Sequence, residues 1–111
     1  MRVISGTAKG TKLLAPPGKD IRPTLDRVRT SLFDILNKNL ENATFLDCFA
    51  GTGAIGIEAL SRGAKCAYFV EHYTKTLHYI EANLKKTHFL DKGIIIKAEL
   101  PRDVYLLPTG M

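Results

Sequence analysis

The fold is decided by the stretch Asp47-Cys48-Phe49-Ala50-Gly51-Thr52-Gly53-Ala54-Ile55-Gly56. Its last six residues have the pattern G-x-G-x-x-G, which follows an apolar run typical of a buried strand and begins an apolar, helix-like segment. Glycines at these positions let the backbone come close to a ligand, and the N-terminus of the following helix offers unpaired N–H groups. The stretch therefore predicts a strand, a turn and a helix with a ligand at the turn.

An acidic residue ends the next apolar run. Cys66-Ala67-Tyr68-Phe69-Val70 is typical of a second buried strand, and Glu71 follows it, twenty residues after Gly51. A carboxylate in this place commonly accepts hydrogen bonds from ribose hydroxyls. The turn and Glu71 together predict a site for an adenosine-containing cofactor. The alternative is a tight strand-to-helix turn that binds no ligand.

Asp47 bears on which cofactor the turn would bind. A nicotinamide dinucleotide would bring a pyrophosphate to the turn, and a carboxylate at the strand end would repel it. The same carboxylate would attract S-adenosylmethionine (SAM), which carries an ammonium and a sulfonium group and no phosphate. The residues therefore favour SAM as the cofactor over a nicotinamide dinucleotide.

The segments around the turn predict an α/β fold. From residue 44 the order is strand, helix, strand, helix, strand, with the third strand at Ile94-Ile95-Ile96. Strands without polar alternation indicate a parallel sheet covered on both faces. Right-handed crossovers would give the strand order 3-2-1, which is half of a doubly wound, Rossmann-like sheet.

The residues before this unit predict a hairpin and a helix. Residues 2–15 are typical of a basic β-hairpin with Gly10 in its turn. A helix is predicted to follow, with Thr24 as its N-cap. Its apolar stripe is predicted to consist of Leu25, Val28, Leu32, Ile35 and Leu36. The predicted division is residues 1–43 for the hairpin and helix, and residues 44–111 for a partial SAM-binding domain.

The charge of the chain is concentrated at its N-terminus. The net charge is +5, and residues 1–29 hold seven basic and two acidic side chains, whereas the remainder holds nine of each. A basic arm on a neutral body is what attraction to a phosphate backbone requires. A solvated basic surface that binds nothing is the alternative.

The composition argues against membrane-spanning, secreted and metal-binding proteins. No run approaches the ~20 apolar residues of a membrane span, and the N-terminus has no signal-like apolar segment. Cys48 and Cys66 lie in apolar stretches with no metal-site spacing, so we expect two reduced thiols and no metal. We expect a cytoplasmic protein that does not associate with membranes.

Two motifs of this chain resemble those of a known family. Residues 47–64 resemble the first motif of the class I SAM-dependent methyltransferases. More narrowly, Arg2-Val3-Ile4-Ser5-Gly6 and the segment 21–36 resemble the opening hairpin and helix entry of the bacterial RsmD-type family. The resemblance extends over about residues 1–97. It implies methylation of a guanine exocyclic amine in small-subunit ribosomal RNA, with SAM as cofactor.

The resemblance also implies roles for individual residues. Asp47 would lie near the SAM amino group, Gly51 and Gly53 beneath the cofactor, and Glu71 at the ribose. The full set of expected cofactor-binding residues is Asp47, Phe49, Gly51, Thr52, Gly53, Glu71, Arg22 and Thr24. The expected RNA-binding residues are Arg2, Lys9, Lys12, Lys19, Arg27 and Arg29. The expected partner is ribosomal RNA or the small ribosomal subunit.

The sequence departs from the family in two places. After the third strand it reads Lys97-Ala98-Glu99, so that only Glu99 could contact adenine. The family's Asp-Pro-Pro-Tyr or Asn-Pro-Pro-Tyr turn, which holds the target amine, does not occur in the sequence. We therefore name no catalytic residue and expect a truncated enzyme, inactive alone, that could self-associate through an open sheet edge. A SAM- or RNA-binding module without turnover is the alternative, and a nicotinamide-dependent oxidoreductase is disfavoured.

Overall fold

The computed structural model describes residues 1–16, 22–48, 50–99 and 102. Within these ranges the chain forms helices α1, α2 and α3 and strands β1, β2 and β3. In chain order they are α1 (Arg22–Leu40), β1 (Thr44–Asp47), α2 (Ala54–Ser61), β2 (Cys66–Glu71), α3 (Thr74–Lys86) and β3 (Gly93–Lys97). The predicted alternation of strands and helices from residue 44 is confirmed.

The strands form one parallel sheet. Its order within the described ranges is β1-β2-β3, with Leu46 opposite Tyr68 and Tyr68 opposite Ile94. This is the predicted 3-2-1 order, and the α/β Rossmann-like fold is thereby confirmed. Because the strands are parallel, their carboxyl ends meet at one edge of the sheet, where Asp47, Glu71 and Lys97 lie.

The N-terminal residues form the predicted hairpin. Arg2 and Lys12 make an antiparallel bridge, and the Val3 amide donates to the Thr11 carbonyl at 3.0 Å. Gly10, in the turn, has a φ of 86°, which an L side chain rarely adopts. The turn chemistry was therefore predictable from this glycine.

The start of α1 differs from the prediction. The helix begins at Arg22, so that Thr24 lies inside its first turn and is not the N-cap. The prediction was wrong because a threonine before an apolar run is typical of an N-cap, yet here the helical backbone starts two residues earlier.

The buried face of α1 differs in part from the predicted stripe. Leu32 and Leu36 pack against the core as predicted, and the side chain of Leu25 lies outside the described part of the structure. Val28 and Ile35 are 59% and 77% exposed, whereas Arg29 and Phe33 are 2% and 0% exposed. Phe33 stacks on Phe45 of β1 with ring centroids 6.1 Å apart. The helix is therefore rotated from the predicted orientation, because its inward face includes an arginine that apolar periodicity does not count.

One apolar core joins the hairpin, α1 and the sheet. At its centre α2 lies against β2, where a Cβ on Gly56 would be 2.3 Å from the Phe69 ring. The third glycine of the motif thus serves helix–sheet packing. The buried apolar residues of this core are Val3, Leu13, Phe33, Leu40, Ala50, Ala54, Ile57, Ala59, Leu60, Ala64, Ala67, Phe69, Ile80, Leu84 and Phe89. The division at residue 43 stays a prediction.

Candidate functional site

A cleft opens at the edge of the sheet where the strands end. It has a volume of about 190 Å³, which is smaller than the ~300–1,000 Å³ of typical small-molecule sites. The cleft therefore accommodates part of a cofactor rather than a whole one. Its lining residues are Cys48, Val70, Glu71, His72, Tyr73, Ala98 and Glu99.

Glu71 joins this cleft to the glycine turn. Its Oε1 accepts a hydrogen bond from the Gly51 amide at 3.0 Å, across twenty residues of chain. Its Oε2 accepts from the amides of His72 and Tyr73 at 2.8 and 3.1 Å. A carboxylate offers about four lone-pair sites, so Glu71 retains capacity for a ligand hydroxyl while it holds the turn in place.

The motif glycines face different surroundings. At Gly51, no described atom other than those of Gly51 and its two chain neighbours lies within 4 Å of where a Cβ would be, so no described side chain fills this position. At Gly53, a Cβ would meet Ile57, Ile80 and Phe69 at 3.4–3.5 Å, so this position faces the core. The side of the turn at Gly51 is therefore the one that can receive a ligand, whereas the corresponding side of Gly53 is packed against the core.

Asp47, the last residue of β1, is buried beside the N-terminus of α2. The residue is 8% exposed, and its Oδ2 accepts a hydrogen bond from the Gly56 amide at 3.2 Å. The partial positive charge of a helix N-terminus stabilises a carboxylate in this position. Asp47 therefore fixes the turn to the helix, and its expected contact with the SAM amino group stays a prediction.

Thr52 is held by a residue that the sequence analysis missed. The Thr52 carbonyl accepts a hydrogen bond from Nδ2 of Asn83 at 2.8 Å, and Asn83 is fully buried in α3. The available signal was a polar residue between Ile80 and Leu84 on the apolar face of that helix. A polar residue within an apolar stripe indicates a satisfied buried group.

Several expected site residues cannot be placed against the cleft. Phe49 and Lys19 lie outside the described residues. Arg22 and Thr24 lie in the first turn of α1, but their side chains fall outside the described part of the structure. Their expected roles stay predictions.

The hairpin is attached to α2 by Glu58, which is fully buried. Glu58 accepts hydrogen bonds from the amides of Ile4 and Ser5 at 2.8 and 3.0 Å. It also pairs with Arg62 at 2.9 Å and lies 3.8 Å from Nη1 of Arg29. A buried carboxylate requires such compensation, because an unpaired charge away from water is costly.

Ser61 attaches the same hairpin at the end of α2. Its hydroxyl donates to the Ser5 carbonyl at 2.6 Å and accepts from the Ala8 amide at 2.9 Å. Its backbone carbonyl accepts from the Thr7 amide at 2.8 Å. The hairpin is thus held through its backbone, which leaves its basic side chains directed to solvent.

The expected RNA-binding residues divide into two groups. Arg2, Lys9, Lys12 and Arg27 are exposed. Arg29 is 2% exposed, and its Nη2 donates to the Arg2 carbonyl at 2.6 Å. The expectation for Arg29 was wrong, because its guanidinium is buried under the hairpin beside Glu58 and is not available to RNA.

Two other features of the described residues concern metals and membranes. The described ranges contain no group of three or more His, Cys, Asp or Glu side chains that could hold a metal ion, and Cys48 and Cys66 are free thiols. No helix in those ranges is long and apolar enough to cross a membrane.

Similarity to known proteins shows the family to which this chain belongs. Residues 1–105 match the family described as conserved hypothetical protein 95. The chain belongs to this family. The match includes both the hairpin and the glycine turn, and the resemblance predicted from these two motifs is confirmed.

Named relatives of the family are methyltransferases. "Putative rRNA methyltransferase YlbH" of Bacillus subtilis is 45% identical over 105 residues, which cover 95% of this chain and 57% of that protein. "Ribosomal RNA small subunit methyltransferase D" of Escherichia coli K12 is 49% identical over 71 residues, which cover 64% of this chain and 36% of that protein. The chain thus spans about half the length of these relatives, or less.

A solved structure shows the same fold. "Putative methyltransferase yhhF from Escherichia coli" superposes with a TM-score of 0.79 at 39% identity, over 89% of this chain and 53% of that one. The arrangement of the sheet, its helices and the glycine turn is therefore that of a class I methyltransferase over the matched part.

Proposed function

We propose that this chain supplies the cofactor-binding part and the RNA-binding arm of a SAM-dependent methyltransferase. Its substrate is a guanine exocyclic amine of small-subunit ribosomal RNA, and it acts in the cytoplasm. The observation that carries the proposal is the bond between Glu71 and the Gly51 amide, at a position that no described side chain fills. It supports a site in which a ribose lies at the end of β2 and the rest of the cofactor passes over the turn.

The cleft supports an adenosine group in particular. Glu99, which follows β3, lines the cleft together with Cys48, and its side chain is 44% exposed. A carboxylate in this place can accept a hydrogen bond from the exocyclic amine of adenine. We propose Glu99 as the adenine contact, Glu71 as the ribose contact, and the Gly51 backbone as the surface beneath the methionine part.

The proposed RNA-binding arm consists of Arg2, Lys9, Lys12 and Arg27. Their exposure and the N-terminal position of the net charge support contacts to phosphates. The names of the relatives support ribosomal RNA as the substrate. Self-association through the edge of β1 stays a prediction.

Calorimetry with SAM and with NAD tests the cofactor. We expect the chain to bind SAM in preference to NAD. Replacing Glu71 with Ala should weaken SAM binding about 10- to 100-fold, because hydrogen bonds to a charged group contribute about 1.5–3 kcal/mol.

Glu81→Ala is the matched control for this experiment. Glu81 is an exposed carboxylate in α3 that pairs with Lys85 and lies outside the cleft lining. Its replacement should leave SAM binding unchanged, and thermal melting should show both variants folded at the temperature of titration. Preferred binding of NAD, or an unaltered SAM affinity in Glu71→Ala, would refute the cofactor assignment.

Titration with a small-subunit ribosomal RNA transcript at several salt concentrations tests the arm. The double variant Lys9→Ala/Lys12→Ala should reduce the slope of log K against log salt by roughly 0.7–0.9 for each phosphate that the variant no longer binds. Lys85→Ala/Lys86→Ala, in the last turn of α3, is the matched control and should keep the wild-type slope. If the slope is equal in all three proteins, the hairpin is not part of the RNA interface.

A further inference from the structure

The side chain of Asn83 connects two segments that are far apart in the sequence. Its Oδ1 accepts from the Leu14 amide at 2.7 Å, and its Nδ2 donates to the Leu14 carbonyl at 3.0 Å. The same Nδ2 donates to the Thr52 carbonyl at 2.8 Å. Asn83 therefore joins the segment that leaves the hairpin to the turn between Gly51 and Gly53.

Only a primary amide satisfies these partners together. Asn83 is 0% exposed, and its bonds to Leu14 and Thr52 are part-buried, so its loss would leave partly buried backbone groups without this partner. The amide has two N–H donors and a carbonyl acceptor, and it binds Leu14 as a neighbouring strand would. An aspartate in this place would offer no donor to the carbonyls of Leu14 and Thr52, and an alanine would leave these groups unsatisfied.

The bond to Thr52 complements the bond from Glu71. Glu71 holds the Gly51 amide from the side of β2, and Asn83 holds the next residue from the side of α3. A turn with glycines on both sides of Thr52 has large conformational freedom when it is not held. Fixing it before a ligand arrives lowers the ordering cost of binding.

We propose that Asn83 is the positioning residue of the glycine turn and makes its order depend on the docked hairpin. The inference rests on the proposed function in so far as this turn binds SAM. Leu14 follows the basic residues of the hairpin. The buried side-chain amide of Asn83 therefore binds both the end of the proposed RNA arm and the proposed cofactor turn. Asn83 itself is not among the residues that line the cleft.

Amide hydrogen exchange of the full chain without ligand tests the positioning role. In Asn83→Ala, protection of the Gly51 and Gly53 amides should fall at least tenfold more than protection inside α2. A general loss of stability would lower protection equally in both places. Equal losses, or unchanged protection of the turn, would overturn the proposal.

Thr87→Val is the matched control. Thr87, the C-cap residue of the same helix, is 5% exposed, and its hydroxyl donates to the carbonyls of Asn83 and Leu84 in α3. This variant should retain the protection of the turn. If Asn83→Ala does not fold, Asn83→Ser, whose hydroxyl can keep one partner, should show a smaller loss of the same selective kind, and an unselective loss would overturn the proposal.

SAM titration separates this inference from the proposed function. We expect Asn83→Ala to bind SAM at least tenfold more weakly than the wild type at a temperature where both are folded. A wild-type chain that does not bind SAM would refute the proposed function, and the selective exchange of the turn would still decide the role of Asn83. Equal SAM affinities in wild type and Asn83→Ala would overturn the positioning role.

Discussion

The hairpin and the sheet are attached to the same core by different means. The sheet is held by backbone ladders and by apolar side chains such as Phe69 and Ile80, which are fully buried. The hairpin is held through its backbone by Glu58, Ser61 and Asn83, which are buried polar side chains. The hairpin also buries Val3 and Leu13 in the shared core, but it depends more than the sheet does on a few buried hydrogen-bonding groups.

This difference determines which single substitutions are severe. Apolar contacts are small and numerous, so that each removed atom costs little by itself. A buried hydrogen-bonded charge loses several partners at once when it is removed, and its former partners remain buried. The hairpin should therefore respond sharply to the loss of one side chain.

Among the residues that attach the hairpin, the largest effect is expected for Glu58→Ala. The variant leaves Arg29, Arg62 and the amides of Ile4 and Ser5 without their carboxylate. We expect the free energy of unfolding to fall by about 3–5 kcal/mol, as measured by chemical denaturation. Glu81→Ala, which breaks an exposed pair, should cost no more than about 0.5 kcal/mol. Similar costs for the two variants would contradict the concentration of stability at Glu58.

An intermediate effect is expected at the hairpin glycines. Gly6 and Gly10 have φ values of 85° and 86°, so that alanine is strained at both, by roughly 1–2 kcal/mol. A Cβ at Gly6 would also lie 1.9 Å from the Ser61 carbonyl oxygen, whereas at Gly10 it would meet no described atom within 4 Å. We expect Gly6→Ala to cost about 1–3 kcal/mol more than Gly10→Ala, by thermal or chemical denaturation. Equal costs would mean that the hairpin does not press on α2.

The smallest effect is expected on the exposed face of α1. Ile35 is 77% exposed, so Ile35→Ala should change the free energy of unfolding by no more than about 0.5 kcal/mol. Phe33→Ala, two residues earlier on the buried face, should cost about 3–5 kcal/mol. Denaturation of both variants checks the rotation of the helix. If Ile35→Ala lowered the free energy of unfolding more than Phe33→Ala, α1 would bury the stripe predicted from the sequence.

The sequence predicts the parts of the fold that follow a regular pattern. The strands, the glycine turn and Glu71 were placed correctly because apolar runs and glycine spacing are local features. The orientation of α1 was not, because Arg29 interrupts the apolar period and is buried beside Glu58, twenty-nine residues later. Polar residues are ordinarily expected at the surface.

The contacts of the candidate site were likewise not predictable from local patterns in the sequence. The role of Asn83 depends on Leu14 and Thr52, which are 69 and 31 residues away in the sequence. No local pattern connects these positions, because the contact exists only after the chain has folded. Asp47 was singled out for its charge, and the structure shows that its carboxylate also fixes the start of α2.

The hydrogen bonds of the hairpin also set an order of events during protein synthesis. A ribosome makes the hairpin before α2 and α3, and the side chains that bind its backbone, those of Glu58, Ser61 and Asn83, come 53 to 69 residues later. Domains fold from the N-terminus as they emerge, and long-range contacts close late. In this chain the hydrogen bonds that attach the hairpin can form only after α2 and α3 have been synthesised, so contacts of residues early in the sequence close late.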